Sequence, residues 1–137
     1  MNQVIKQVYD ALQNKTFSQI EVEEFAPDGK WAFEIAKFLG KDMKITQLRK
    51  VFNTLKQIEV DLKGEDKNAL FNNSKLYMLV PQLAYAKARG LIESDFYDLM
   101  RNIIGDQERT KIKSVGDFLR FVEFMTAIVA YHKQFSK

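Results

Sequence analysis

The sequence predicts an all-α fold, a compact single-domain bundle of about five or six helices spanning residues 1–137. Apolar side chains recur over most of the chain at the spacing of one helix face, which is typical of amphipathic helices. Only two Pro and six Gly occur, and they fall where helices are expected to begin or end. With 137 residues, 46% of them hydrophobic, the chain is long enough for one domain with a substantial core.

The first half of the chain contains three predicted helices. The first spans about 1–14, and an acidic polar stretch follows it. The turn at 27–29 opens the second helix, which Gly40 ends as a left-handed C-terminal cap. The third helix begins at a Thr46 N-cap and stops at Gly64.

The second half of the chain contains three further helical stretches. One spans about 75–89 and ends at Gly90, and the next is capped by Ser94-Asp95 and ends at Gly105. Residues 106–113 are polar enough for us to expect a mobile connection. The longest helix then covers about 114–135.

This last helix is more apolar than a surface helix needs to be. Apolar residues surround nearly its whole circumference, namely Phe118, Leu119, Phe121, Val122, Phe124, Met125, Ile128, Val129, Tyr131 and Phe135. Helices with this pattern are buried on most sides. We therefore expect it at the centre of the bundle, or shared with a partner.

Charge is distributed unevenly along a chain whose net charge is only +3. Residues 1–36 sum to −3 and residues 57–107 to −2, whereas residues 37–56 sum to +5 and residues 108–137 to +3. A concentrated positive zone attracts polyanions, and acidic zones can contact a neighbouring copy. A solvated surface without a binding partner can have the same charges. Other features of the sequence must therefore distinguish a binding surface from a solvated one.

The stretch 44–59 separates apolar and basic side chains onto two faces of one helix. The apolar face is expected to hold Ile45, Leu48, Val51 or Phe52, Leu55, Ile58 and Leu62. The polar face holds Arg49, Lys50, Asn53, Lys56 and Gln57. Six Lys or Arg stand in residues 37–56 against a single acid, Asp42. This face suits an extended polyanion.

A second basic ridge is predicted near the end of the helix over 75–89. Lys87 and Arg89 lie in its last turn. A cation at this position interacts favourably with the helix dipole, so their presence does not by itself indicate a binding site. Tyr85 offers a ring on which a base can stack, although tyrosine at helical spacing more often belongs to a core.

The sequence offers little material for catalysis. It has no Cys and one His, and it lacks the glycine-rich phosphate loops, nucleophile elbows and paired-histidine zinc motifs of common enzymes. We interpret His132 as a structural residue near a helix C-terminus. The acid pairs lack calcium-loop spacing and are interpreted as solvated faces: Glu23-Glu24, Glu65-Asp66, and Asp95 with Asp98. We predict no catalytic residue, no metal site and no cofactor.

Three segments, in the order in which they occur, make the chain resemble the small subunit of the type III-A CRISPR effector, the Csm complex. They are residues 44–50 (KITQLRK) running on to Ile58-Glu59, residues 83–89 (LAYAKAR) and residues 121–133 (FVEFMTAIVAYHK). The family often has a basic residue where this chain has Gln82. The resemblance covers roughly the last two-thirds of the chain, and residues 1–36 show nothing that matches.

The resemblance implies a non-catalytic helical subunit of an antiviral ribonucleoprotein. Copies stack along the filament, contact other subunits of the complex, and help to hold the target RNA paired to the guide RNA. Self-association is therefore expected. The RNA backbone is expected to be bound without sequence specificity by Lys44, Gln47, Arg49, Lys50, Asn53, Lys56, Lys87 and Arg89.

Two alternatives stay open. In the first, the chain is a protein–protein assembly module whose basic strip contacts acidic neighbours, such as residues 21–24 of another copy, instead of RNA. In the second, it is the small subunit of the related type III-B effector. The absence of Cys, of a signal peptide and of a long apolar run leads us to expect a cytoplasmic protein without a membrane partner.

Overall fold

The computed structural model describes residues 2–72 and 74–136, except for the side chain of Lys41. This part of the chain forms seven α-helices: α1 (Gln3–Leu12), α2 (Val22–Phe25), α3 (Trp31–Leu39), α4 (Ile45–Asp61), α5 (Ser74–Ala88), α6 (Ser94–Ile104) and α7 (Val115–Phe135). Short 3-10 turns at Phe17–Gln19 and Gly40–Asp42 precede α2 and α4. The predicted all-α class is confirmed. The added helix is the four-residue α2, which lies in the polar stretch after α1.

Three helix ends agree with local capping chemistry. The Asn2 side chain accepts hydrogen bonds from the backbone N–H groups of Val4 and Ile5 and so starts α1. Ser114 precedes α7 and its hydroxyl accepts from the N–H of the third helical residue. Gly40 ends α3 with a φ of 42°, a conformation that costs glycine little because it has no Cβ. Gly40 therefore ends α3 as predicted, but its ψ of −131° lies outside the left-handed helical conformation expected for this cap.

Two predicted N-caps are wrong. Lys44, not Thr46, precedes α4, and Glu93, not Ser94, precedes α6. Neither cap residue supplies a side-chain hydrogen bond to its helix. Met43 beside the start of α4 is fully buried, so we attribute this helix start to packing and not to side-chain capping.

Helix α7 occupies the centre of the fold. It packs against α2, α3, α4 and both 3-10 turns. The Phe124 ring lies 5.4 Å, centroid to centroid, from both Phe17 and Phe25. Burial within the chain therefore accounts for the apolar circumference of α7, and no partner is needed to explain it. None of the helices in the described residues is long and apolar enough to cross a membrane.

The acidic N-terminal segment, residues 1–36, which the resemblance leaves unassigned, belongs to the same core. Helix α1 buries Ile5, Val8 and Leu12 against its neighbours. The following 3-10 turn buries Phe17, and α2 buries Phe25. The acids of this region therefore lie around an apolar interior that is shared with α7.

Residues 106–113, expected to be mobile, are held by backbone hydrogen bonds. The N–H of Lys111 donates to the carbonyl of Ile103 at 2.9 Å, and its own carbonyl accepts from the N–H of Phe17 at 2.8 Å. The carbonyl of Lys113 accepts from the N–H of Phe71 at 2.9 Å. These partners are distant in sequence, so the polar composition of the segment did not reveal them.

The buried Asp117 carboxylate joins three parts of the chain. Its Oδ1 accepts from the N–H of Ser18 at 2.8 Å, and its Oδ2 accepts from the N–H groups of Lys113 at 2.9 Å and Ser114 at 3.0 Å. Burial raises the pKa of this carboxyl, but the hydrogen bonds donated from Ser18 and Lys113 outweigh burial and hold the pKa below its ordinary value. The folded chain therefore stabilises the charged form of Asp117.

Helices α5 and α6 form an outer pair. They pack against each other, while α5 also packs on α4 and α6 on α1. Helix α5 buries only Leu76, Leu79 and Leu83, so most of its surface faces outward. Pro81 lies inside α5 and has no N–H to donate to the carbonyl of Tyr77.

His132 is fully buried, and its Nε2 donates to the carbonyl of Gly40 at 2.9 Å. This bond ties the last turn of α7 to the corner between α3 and α4. The predicted structural role of His132 is confirmed, and the corner that it holds is the one from which the basic helix α4 starts.

We expect the Asp117 carboxylate to stabilise the fold in a pH-dependent manner. Because its folded pKa is lowered, this contribution is complete above the unfolded value of about 3.9 and is lost as the pH falls through the folded pKa. Asp117→Asn should lower the free energy of unfolding at pH 7 by about 2–4 kcal/mol, since charged acceptors of several buried N–H groups are lost. Urea denaturation at pH 7 and at about pH 3 measures the difference between variant and parent.

The matched control is Asp10→Asn, which makes the same chemical change on an exposed face of α1. It should leave the stability nearly unchanged at both pH values. A penalty for Asp117→Asn that does not shrink on acidification contradicts the role assigned to the charge.

We expect Phe124→Ala to lower the free energy of unfolding by about 3–5 kcal/mol, because it removes a fully buried ring and leaves a cavity between Phe17 and Phe25. Phe135→Ala, at a partly exposed ring at the end of the same helix, should cost clearly less. Urea denaturation of both variants tests this order. Equal losses would argue against Phe124 as the centre of the aromatic cluster.

Candidate nucleic-acid interface

A groove of about 480 Å³ runs between α4 and α5. Its floor is apolar and includes Val51, Leu79 and Leu83. Its polar lining comes from Gln47, Lys50, Asn53, Thr54, Gln82, Tyr85 and Arg89. Among these described residues there is no acid, so the positive charges of the groove meet no opposing charge from its own walls.

The wall on α4 follows from helical spacing. Gln47, Lys50 and Thr54 are three and four positions apart, so they share one stripe along the helix. The Thr54 hydroxyl donates to the carbonyl of Lys50 at 3.1 Å. The apolar stripe of Leu48, Val51, Leu55 and Ile58 is buried, and this fixes the rotation of α4 that turns the Lys50 stripe towards α5.

The wall on α5 combines a cation with an exposed aromatic ring. Gln82, Tyr85 and Arg89 are spaced at three and four positions and face the groove. Tyr85 is 65% exposed, so the expectation that a tyrosine here belongs to the core is wrong. The Arg89 guanidinium lies over the Tyr85 ring, 5.7 Å from its centroid, an arrangement that orients both groups.

The groove therefore brings together four of the eight predicted site residues: Gln47, Lys50, Asn53 and Arg89. Three others lie on α4 or at its start but outside the groove lining: Lys44, Arg49 and Lys56. Arg49 and Lys56 share a second, outward stripe of α4 with Asn53. Lys56 has an acidic partner: its Nζ lies 2.6 Å from a carboxylate oxygen of Glu59.

Lys87 points away from the groove. Its Nζ lies over the ring of Tyr97 on α6, 4.9 Å from the centroid. The guanidinium of Arg101 lies over the same ring at 5.5 Å. Lys87 is exposed, but it faces the other side of α5 from Lys50 and Arg89.

The predicted site residues do not include three residues of the groove lining: Thr54, Gln82 and Tyr85. From the sequence, Tyr85 is a possible stacking ring for which a core position is favoured, Gln82 is only a departure from the family, and Thr54 has no assigned role. Gln82 and Tyr85 share the helical stripe of Arg89, so the spacing from Arg89 back along α5 was a usable signal. Thr54 follows Lys50 by one turn, and its place became clear only from the packing of α4 on α5. Within the described residues, no group of His, Cys, Asp or Glu is arranged to hold a metal ion.

The chemistry of this groove is that of anion binding. Lys50 provides a point charge with three donors, Arg89 provides a planar fork, and the amides of Gln47, Asn53 and Gln82 can donate further hydrogen bonds. The exposed ring of Tyr85 can stack on a base or sugar. Such groups contact phosphates and sugars without reading a base sequence.

In a comparison with known protein families, the family described as Csm2 Type III-A matches residues 28–137. The matched region contains α3 to α7 and so includes both walls of the α4–α5 groove. No curated protein and no solved structure matches the chain. Because the family match extends over most of the sequence, the chain belongs to the Csm2 family, the small subunits of the type III-A CRISPR effector complex.

Proposed function

We propose that this small subunit is non-catalytic and binds the RNA backbone of the effector complex in the α4–α5 groove, without sequence specificity. The partners are the target RNA and the guide RNA to which it is paired. Since base pairing reads the sequence in an RNA-guided complex, the protein needs only to hold phosphates and sugars. We place this role in the cytoplasm, together with the other subunits of the complex.

One observation carries the proposal: Lys50 and Arg89 line the same groove from different helices, and no acid lies among its described lining residues. Two cations fixed on different helices can contact successive phosphates of one strand. Below these cations lies the apolar floor of the groove, and the Tyr85 ring stands beside it. These apolar surfaces can contact the sugar and base of a nucleotide whose phosphate the cations bind.

The outward stripe of Arg49 and Lys56 is the competing site. It is exposed, and Arg49 has no ion-pair partner within the described residues. Lys56, by contrast, already neutralises Glu59. We therefore assign the closest RNA contact to the groove and a supporting role to the outward stripe, Lys44 and Lys87.

We also propose that copies of the chain stack on one another. A depression of about 460 Å³ beside Trp31 is lined by three acids, Glu23, Glu24 and Glu34, and by one cation, Lys30. The net charge of this depression is negative and that of the basic stripes on α4 is positive, so the two surfaces are complementary in charge. This contact is the part of the assembly-module alternative that the surface charges favour.

We expect Lys50→Glu with Arg89→Glu to weaken binding of single-stranded RNA by about tenfold or more, because two phosphate contacts are lost and repulsion replaces them. For the parent chain, about four neutralised phosphates give a slope of about −3 for log affinity against log salt, and the double variant should flatten the slope by about 1.4. Fluorescence anisotropy of labelled RNA at several salt concentrations measures both quantities.

Two matched pairs accompany this variant. Arg49→Glu with Lys56→Glu changes the charge equally on the outward stripe, and Lys6→Glu with Lys133→Glu does so far from the groove lining. We expect an intermediate loss for the first pair and little loss for the second. If the groove pair behaves like the remote pair, or if an intact complex that carries it retains target RNA normally, the groove is not the RNA site.

For stacking, we expect self-association that high salt weakens, since charge complementarity drives it. Sedimentation velocity of the free chain at low and high salt, with and without RNA, measures this. Glu23→Lys with Glu34→Lys should shift the chain towards monomer, whereas Lys50→Glu with Arg89→Glu should affect RNA binding more than association. A monomer at low salt in the presence of RNA would contradict the stacking proposal.

A further inference from the structure

A second and larger groove lies on the opposite side of α5. It has a volume of about 1170 Å³ and lies between the end of α1, α5, α6 and the connection from Gly105 to Lys113. We call it the α1–α6 groove. Neither the family match nor the proposed RNA contact gives it a role, although its volume is more than twice that of the α4–α5 groove.

Three cations at this groove have no hydrogen-bond or ion-pair partner for their side chains within the described residues: Lys15, Arg109 and Lys113. All three are exposed. Two further cations are occupied, because Arg101 lies 3.7 Å from Asp98 and the Nζ of Lys111 donates to the carbonyl of Gln13 at 3.4 Å. The groove thus holds unsatisfied positive charge.

The acids of the groove are mostly engaged. Asp98 faces Arg101, and Oδ1 of Asp106 accepts from the N–H groups of Arg109 at 2.9 Å and Glu108 at 3.0 Å. The hydrogen bond from the Arg109 N–H holds the pKa of Asp106 below its ordinary value. Asp106 and Glu108 still offset part of the positive charge, but outside the Asp98–Arg101 pair four cations line the groove against these two acids. An incoming group with negative charge is therefore favoured.

An apolar wall faces these cations. Tyr77, Val80 and Pro81 form it along one edge of α5, and Tyr9 adds a half-buried ring from α1. Because Pro81 has no N–H, the Tyr77 carbonyl on this wall lacks its usual helical donor. A ligand that fits this groove therefore carries carboxylates, apolar side chains and backbone N–H donors together.

We propose that the α1–α6 groove binds an acidic segment of a different protein, with apolar side chains between its carboxylates. RNA suits it less well, because three acids line this groove whereas none lines the α4–α5 groove. Fixed carboxylates repel a phosphate strand, while mixed charges beside an apolar wall are typical of specific protein interfaces. The inference is independent of the RNA contact proposed above.

The acidic stretches of a second copy fit the groove less well. Val60 is 69% exposed between Glu59 and Asp61, but these two acids already pair with Lys56 and Lys75. In the acidic stretch 21–24, the flanking apolar residues Ile20 and Phe25 are buried. Leu70 is 88% exposed, but the acids before it, Glu65 and Asp66, are balanced by Lys63 and Lys67. The stretches 21–24 and 63–70 do not offer net negative charge and exposed apolar side chains together.

The N-terminal part of the groove lies outside the region that the family match covers. This part includes Tyr9 of α1 and, after the end of that helix, Gln13 and Lys15, all of which precede residue 28, where the match begins. The partner is therefore expected to recognise a surface that the matched region alone does not complete.

Site-specific crosslinking in the intact effector complex tests the proposal. The probe is a benzophenone side chain placed at Asn14, an exposed residue of the groove lining, and crosslinked peptides are identified by mass spectrometry. We expect a segment of another protein that contains several Asp or Glu with apolar residues between them. A synthetic peptide of that segment should compete, and the same peptide with amides in place of its carboxylates should not.

Arg109→Glu with Lys113→Glu in the probe-bearing chain should reduce the crosslink yield about tenfold, since two favourable charge pairs become repulsive. Lys6→Glu with Lys133→Glu should leave the yield unchanged, and circular dichroism verifies the fold of each variant. Crosslinks to RNA or to a second copy, no crosslink, or a yield that does not depend on Arg109 and Lys113 would each overturn the proposal. Lys50→Glu with Arg89→Glu separates it from the RNA contact, because that pair should impair RNA binding and leave the crosslink intact.

Discussion

The rest of the structure depends on the burial of α7. A helix that is apolar around most of its circumference has to be enclosed, and α2, α3, α4 and the 3-10 turns supply the enclosure. Fully burying one large side chain contributes about 1.5–3 kcal/mol, and α7 buries three Phe together with Met125 and branched residues. Once these elements have enclosed α7, α5 and α6 remain as an outer pair, and both grooves of the molecule border that pair.

Periodicity was enough to predict the fold class and the central helix. The apolar spacing along α4 predicted its buried stripe, and the structure buries Val51 and leaves Phe52 half-exposed. Helix starts were less predictable, because the start of α4 depends on burial of Met43 and not on a hydroxyl cap. The order in the connection 106–113 was unpredictable from composition, since its hydrogen-bond partners come from α6, the first 3-10 turn and the segment before α5.

For the candidate site, the sequence predicted which helices carry the cations but not which cations share a groove. A helical wheel places Lys50 and Arg49 on neighbouring stripes of α4, and only the packing of α5 decides which stripe borders the groove. Lys87 and Arg89 are two residues apart, so α5 directs them to opposite sides. The α1–α6 groove was not predictable at all, because its walls come from four elements that are far apart in the sequence.

The position of α5 has a consequence for how the α4–α5 groove responds to a ligand. With three fully buried side chains and a proline that removes one helical hydrogen bond, α5 is anchored less firmly than α7. Local opening begins in segments with few buried contacts, and a ligand stabilises whatever state it binds. Occupancy of the α4–α5 groove by any ligand is therefore thermodynamically linked to the ordering of α5. A ligand that binds the ordered helix stabilises it, and a change that loosens the helix lowers the affinity for that ligand without altering a contact residue.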